Sequence, residues 1–238
     1  MDPITLAKIN DLNRLFYAQF GGEFSKTRGR IQPGVASLLA QVNPNWSILD
    51  VGCGNGTFAI ALAEKGFSGH YTGLDFSQPL LTSANSATPA PGFQFIEADL
   101  TNAWPDLIFG QTYDLAVSFA VIHHIAGIEQ RDHFFQNIYR ALKPGGTFFI
   151  STWQFTNSEK LANRIVDWSV AGIQSNDVDQ NDYLLDWKSG GIGLRYVHLF
   201  SDEDLRIAAN QYGFEVETSF LSDGSTGNLG LYQVWKKS

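Results

Sequence analysis

Apolar residues recur at helical spacing from the start of the chain. Ile4, Leu6, Ile9, Leu12, Leu15 and Phe16 predict an amphipathic helix over 4–19, closed by Gly21-Gly22. A second helix is expected over 33–42, with Pro33 in its first turn. The pattern then changes. Ser47 to Val51 is a short apolar run that reads as a strand, and Gly52-Cys53-Gly54-Asn55-Gly56 is a glycine-rich turn behind it. An apolar helix from Phe58 to Lys65 stops at Gly66. Tyr71 to Asp75, Phe93 to Ile96, Tyr113 to Phe119 and Thr147 to Thr152 read as further strands. Ser77-Gln78-Pro79 opens one intervening helix. Another spans about Glu129 to Leu142 and ends at Lys143-Pro144-Gly145-Gly146. Strands alternating with helices predict right-handed βαβ units and a doubly wound, mostly parallel sheet of the α/β class.

Beyond 153 the rhythm breaks. Residues 153–200 read as a helix plus an irregular insertion, a place where substrate contacts tend to sit. Ser201 is placed to cap a helix. Phe214 to Phe220 and Leu229 to Trp235 then read as two strands of an antiparallel closing hairpin. The expected organisation is a single domain over 1–238. It divides into a helical arm (1–45), a core (46–153), an insertion (153–200) and a closing helix and hairpin (201–238).

Composition narrows the classes. The 238 residues are 44% hydrophobic and 17% charged, with mean hydropathy -0.11, which excludes a disordered chain or a coiled coil. No apolar run reaches the ~18 residues of a membrane span, and Met1-Asp2-Pro3 opens no secretory leader, so no membrane and a cytoplasmic location are expected. One cysteine, Cys53, excludes an internal disulfide framework and a thiolate-rich zinc site. The net charge of -8 argues against a broad nucleic-acid surface. It is uneven, however. In residues 1–45, Lys8, Arg14, Lys26, Arg28 and Arg30 face Asp2, Asp11 and Glu23 for +2, leaving -10 for the rest. Arg131, Arg140 and Lys143 read as a solvated face.

The glycine turn is the first chemical signal. It lacks the Gly-Lys-Ser/Thr of a phosphate loop, and Thr57 stands where a dinucleotide fingerprint needs glycine. Asp50 precedes it and would repel a pyrophosphate. S-adenosylmethionine, with its ammonium and sulfonium, suits such an acid. Asp75, ending the second strand, can accept from ribose hydroxyls, and Asp99, past the third, from an adenine amino group. Phe76 and Leu100 can sandwich the adenine, with Ala98 and Phe119 completing the wall. Any one of these acids reads equally well as a cap; the ordered set in one βαβ array points to a cofactor.

The run Ile48-Leu49-Asp50-Val51-Gly52-Cys53-Gly54-Asn55-Gly56, with Asp75, Asp99 and Pro144-Gly145-Gly146, resembles the class I S-adenosylmethionine-dependent methyltransferases over roughly 46–153. That resemblance implies a Rossmann-like seven-stranded sheet with an antiparallel last strand. A narrower one joins Phe24-Ser25-Lys26-Thr27-Arg28, Val121-Ile122-His123-His124, Asp182 to Lys188, and Arg195-Tyr196-Val197-His198-Leu199-Phe200. These resemble the tRNA wobble-uridine carboxymethyl methyltransferases, which methylate the carboxylate of 5-carboxymethyluridine in the anticodon. By that resemblance Arg28, Trp187, Arg195, Tyr196 and His198 fall on motif positions. Asp186 stands where the family has proline, Val197 where it has a second tyrosine, and Gly29 and Ile31-Gln32 replace aromatic and Pro-Trp positions. The acceptor is therefore either a tRNA anticodon or a small molecule. The related tRNA enzymes often use a small zinc-binding activator subunit, so one is a candidate partner here.

Methyl transfer from a sulfonium is an in-line displacement that needs proximity, orientation and a dry site. A carboxylate acceptor, with pKa near ~4, is already ionised and needs cations rather than a base. Arg28 and Arg195 are the catalytic candidates for holding it, with Lys188 beside them. Arg28 or Arg30 can instead grip the methionine carboxylate of the cofactor. Asp50, Gly52, Cys53, Gly54, Asn55, Asp75, Phe76, Ala98, Asp99, Leu100 and Phe119 are the other cofactor candidates. An amine or hydroxyl acceptor needs a base, and then His123 is the catalytic candidate and His124 a substrate contact, or the reverse, since only one of two neighbours faces a pocket. Trp187, Tyr196 and His198 are substrate-side candidates, though His198 reads equally as a structural histidine. No third ligand accompanies the histidine pair, so no metal is expected. A non-catalytic cofactor-binding module is the alternative from another class. A nicotinamide-dependent reductase is disfavoured by Asp50 and Thr57.

Overall fold

The computed structural model describes residues 1–27, 30–88, 91–187, 191 and 193–238, and of 21–27 the backbone alone. Chain order is α1 (Pro3–Thr27), α2 (Pro33–Leu39), β1 (Ser47–Val51), α3 (Thr57–Glu64), β2 (His70–Asp75), α4 (Gln78–Ala87), β3 (Phe93–Glu97), β4 (Tyr113–Phe119), α5 (Ile128–Ala141) and β5 (Leu142–Trp153). It continues with α6 (Glu159–Ala162), β6 (Ile165–Val166), β7 (Asp182–Trp187), β8 (Gly193–His198), α7 (Asp202–Gln211), β9 (Phe214–Ser222) and β10 (Gly230–Lys237).

The main sheet has seven strands in the order β3-β2-β1-β4-β5-β10-β9, and β10 runs antiparallel to both of its neighbours. Its central strands carry apolar residues on both faces, as a sheet covered on both sides requires. Leu49, Val51, Ala116, Phe148 and Ile150 pack with α5 and α7 on one face; Ile48, Leu115, Val117 and Phe149 pack with α2 and α3 on the other. The chain leaves β1 toward β2 in one direction and reaches β4 on the opposite side. A crevice therefore opens at the carboxyl ends of β1 and β4, the usual ligand position of a doubly wound sheet.

Several boundaries differ from the sequence expectation. The first helix does not stop at Gly21-Gly22 but continues to Thr27. Each glycine costs a helix only about 1 kcal/mol, and this helix packs along β8. The second ends at Leu39 rather than 42. Lys143-Pro144-Gly145-Gly146 is not a loop. Leu142 already pairs with Tyr113, and the register then shifts so that Leu115 meets Thr147. The four residues are a bulge inside β5.

The largest difference is the insertion. Between 153 and 200 the chain builds a three-stranded antiparallel sheet, β6-β7-β8, linked by short helical turns. Its strands are apolar on both faces. Leu184 and Tyr196 pack toward α1 with Ile9 and Trp168, while Leu185 and Val197 pack with Phe155. That arrangement erases the period-two alternation by which a strand is recognised. Ser201 caps α7 as expected, in a reciprocal pair with Asp204.

Candidate functional site

The site grows from the turn after β1. The N–H groups of Gly52 and Cys53 both donate to the Leu74 carbonyl, at 2.8 and 2.9 Å, tying the turn to β2. Gly52 has φ +83°, and a Cβ there would lie 2.3 Å from Cγ2 of Val121, so only glycine fits. Gly54 N donates to Oδ2 of Asp75 at 2.9 Å, and Ser77 N to its Oδ1 at 2.9 Å. Asp75 thus clamps the turn to the start of α4. Asn55 accepts from the Thr57 hydroxyl at 2.8 Å.

A cavity opens beside this turn. Asp50, Gly52, Cys53, Gly54, Asn55, Asp75, Phe76, Leu100 and Phe119 line it, with Arg30 at its edge. These are cofactor candidates that the fold brings together. Ala98 lies behind the wall, its N–H donating to the Asp75 carbonyl. Asp99 is also off the wall. Thr101 N and Oγ1 occupy its Oδ1, at 3.0 and 2.6 Å; Asn102 and Arg14 occupy its Oδ2, at 3.0 and 2.5 Å. An adenine amino group would compete with these donors.

The charges of the three acids differ. Burial pushes Asp50 up to about 7, with Asp75 adding repulsion and a hydrogen bond from Tyr71 opposing it. Burial also raises Asp75, against hydrogen bonds from three backbone N–H groups. Asp99 is pushed up by partial burial, but Thr101 and Arg14 outweigh that and hold it below the usual carboxylate range.

The roof was not legible in the sequence. Tyr17 of α1 lines the cavity, edge-on to Phe76 at 6.0 Å and to His124 at 5.4 Å. Ile31, Gln32 and Val35 add a wall from the start of α2. Ala120, directly after β4, also lines the cavity and holds φ +59°, a left-handed conformation unusual for a non-glycine residue. Such strain tends to gather at functional sites.

Of the paired histidines, His124 reaches the cavity and His123 does not. His124 Nδ1 is 3.1 Å from the Tyr196 carbonyl, so Nδ1 carries the proton and the neutral ring has its lone pair on Nε2. His123 is buried, and its Nδ1 accepts from Trp153 N at 3.3 Å. Of the two candidates, the fold brings His124 to the cavity and leaves His123 behind it.

The substrate-side candidates divide. The Arg195 guanidinium is buried and stacks over Trp153 at 4.6 Å, Phe16 at 5.3 Å and Trp187 at 6.0 Å. Tyr196 and His198 point elsewhere. Asp182 Oδ1 accepts from the Tyr196 hydroxyl at 2.8 Å and from His198 Nδ1 at 2.6 Å. Arg131 donates to the Tyr196 oxygen at 3.2 Å and to Asp179 at 3.1 Å. Arg131 is accordingly buried, not part of a solvated face, because the acids of the insertion fold back onto it. Tyr196 therefore holds the small sheet on α5 through Arg131, His198 braces Asp182 within the sheet, and neither lines the cavity. Arg28 and Lys188 lie outside the described residues.

Comparison with known proteins agrees with this architecture. The methyltransferase domain family matches residues 24–219. A methyltransferase candidate of Encephalitozoon cuniculi is 30% identical over 93% of both chains. The tRNA (carboxymethyluridine(34)-5-O)-methyltransferase of Arabidopsis thaliana is 33% identical over 58% of this chain, which spans only 31% of that enzyme. Among solved structures, an S-adenosylmethionine-dependent methyltransferase from Methanosarcina mazei superposes with a TM-score of 0.65 at 20% identity, covering 87% of this chain and 98% of that one. With a family match that runs from α1 to β9 and a full-length relative of the same description, the chain belongs to the methyltransferase domain family.

Proposed function

We propose that the protein transfers the methyl group of S-adenosylmethionine to a carboxylate. The cavity suits this donor. Asp50 and Asp75 offer buried negative charge to an ammonium and to ribose hydroxyls, and Phe76 and Leu100 offer faces to an adenine. In the reaction the acceptor oxygen attacks the methyl carbon from behind as the carbon–sulfur bond breaks. An ester and S-adenosylhomocysteine result. The carboxylate is already ionised, so no proton moves.

The observation that carries the carboxylate reading is the position of Arg195. Its guanidinium is held among three aromatic rings, one of them Phe16, beside the cavity-lining Tyr17. Tyr196, the next residue, accepts from the cavity-lining His124. Arg195 does not itself line the cavity. It lies behind the wall, against Phe16 next to Tyr17 and one residue before Tyr196, whose carbonyl meets His124. A buried cation there suits an anionic acceptor that reaches past that wall. The names of the tRNA relatives support 5-carboxymethyluridine as that acceptor; a smaller carboxylic acid is the other form of the same chemistry.

A second reading has its own observation. With Nδ1 of His124 committed to a carbonyl, Nε2 is the basic nitrogen, as deprotonating an amine or hydroxyl would require. One assay separates the two. The protein is incubated with methyl-labelled S-adenosylmethionine and either cell tRNA or a small-molecule extract, and the product is treated with base. The carboxylate reading expects base-labile label, lost about 100-fold in Arg195→Ala and largely kept in His124→Ala. Base-stable label with the opposite mutant order supports the histidine-base reading. Failure of S-adenosylmethionine to bind the wild-type protein in calorimetry overturns both.

A further inference from the structure

We propose that Tyr71 is a positioning residue for cofactor binding, its hydroxyl aiming the Asp50 carboxylate at the cavity where the ammonium of the cofactor would lie. The inference rests on reading the cavity as an S-adenosylmethionine site.

Tyr71 sits on β2, paired with Ile48 of β1, two positions before the Gly73–Asp50 pair. From there its hydroxyl crosses diagonally and donates to Oδ2 of Asp50 at 2.5 Å. Gly73 opposite Asp50 keeps the space clear, since a Cβ there would lie 2.8 Å from the Cys53 sulfur. The tyrosine is buried, with Phe93 and Phe95 rings at 5.2 and 5.6 Å. A tyrosine in such surroundings requires a partner for its hydroxyl, and a phenylalanine would fill the same space without one. Asp50 in turn has no other hydrogen-bond donor among the described residues. Pairing Oδ2 from behind fixes the plane of the carboxylate while Asp50 remains part of the cavity wall.

The bond also has an electrostatic consequence. Burial and the neighbouring Asp75 raise Asp50 to about 7, and the Tyr71 hydroxyl opposes that rise by favouring the ionised form. The other titratable or charged groups around it are Cys53 in the glycine turn, Arg30 ahead of α2, Tyr17 on α1 and His124 after β4; the cavity-lining residues of α3 and α4 (Thr57, Phe58, Leu80) are uncharged. A cationic ligand binds the ionised acid. Affinity should therefore fall about tenfold per pH unit below the titration of Asp50, while above about pH 8 the cofactor's own α-amino group loses its proton and weakens wild type and variant alike.

The test is the affinity for S-adenosylmethionine by calorimetry, from about pH 5.5 to about pH 9, in wild type and Tyr71→Phe. The wild-type break is expected near pH 7. In the variant it moves up by about one unit, so binding at pH 6 weakens about tenfold while binding at pH 9 matches wild type. Coincident profiles overturn the proposal. So does equal weakening at every pH, or a variant that does not fold, since either marks Tyr71 as packing alone. Absence of wild-type binding at every pH instead overturns the cofactor reading on which the proposal stands.

Discussion

Asp50 carries opposite demands. On the proposed reading a cationic ligand needs its charge, yet burial favours its neutral form. Its pKa in the folded chain is raised from 3.8 to about 7, so the protonated acid is the form that burial favours. The stability it contributes is present below the unfolded value and is lost as pH rises through the folded one. Asp50→Asn should therefore unfold at higher urea than wild type at pH 8, with little difference at pH 4, while weakening cofactor binding at least tenfold at pH 8. Equal or lower stability of the variant at pH 8 would contradict the assignment. Residues at this scale were unevenly legible. Asp50 and the glycines announce themselves because a ligand loop needs them adjacent in sequence, and Asp75 because it ends the next strand. Tyr17 and Tyr71 do not, because each acts on a residue of another element. The split between His123 and His124 depends on which ring nitrogen meets which backbone group, which spacing cannot express.

At the scale of elements, Asn13 ties α1 to two others by hydrogen bonds. Asn13 donates to the His124 carbonyl at 2.9 Å and accepts from Tyr196 N at 3.1 Å. It thus joins α1, the turn after β4 and the edge of β8, and sets Tyr17 one helical turn further on above the cavity. Asn13→Ala leaves a buried N–H of β8 unpaired and should cost about 1–3 kcal/mol in denaturant unfolding. The same variant should raise KM for both substrates more than it lowers kcat, because Tyr17 and His124 lose a common support. An unchanged KM with full stability would show that α1 is held elsewhere. The sequence foretold this helix but not its length or role. Amphipathic periodicity reports that a face is buried and is silent about what buries it. The insertion was misread for a related reason, since strands apolar on both faces carry no alternation.

At the scale of the molecule, the central strands of the sheet were legible because they are short apolar runs, the first closed by a glycine-rich turn, while the count of seven followed from the family resemblance. The sheet's closing strand also anchors the far core. Trp235 on β10 is fully buried, stacked on Phe135 at 5.4 Å and edge-on to Phe148 at 5.4 Å, with its indole N–H donating to Gln233. Trp235→Ala should cost about 3–5 kcal/mol in urea unfolding. Because Trp235 pairs with Phe148 near the start of the β10-paired stretch of β5, away from the carboxyl ends of the strands where the cavity opens, calorimetric affinity for the cofactor should change less than about threefold while the protein stays folded. No helix among the described residues is long and apolar enough to cross a membrane.

The bond from Asn13 to Tyr196 spans 183 positions of sequence, whereas the turn after β1 is completed by Asp75, 21 positions after the Gly54 it grips. Contacts between distant positions carry the larger loop-closure entropy and form late. A nascent chain can therefore assemble the glycine turn and its Asp75 clamp from neighbouring segments long before the small sheet exists. The small sheet and α1 complete each other only once residue 196 has been made, so the order of synthesis builds the glycine turn and its clamp first and the junction of α1 with β8 last.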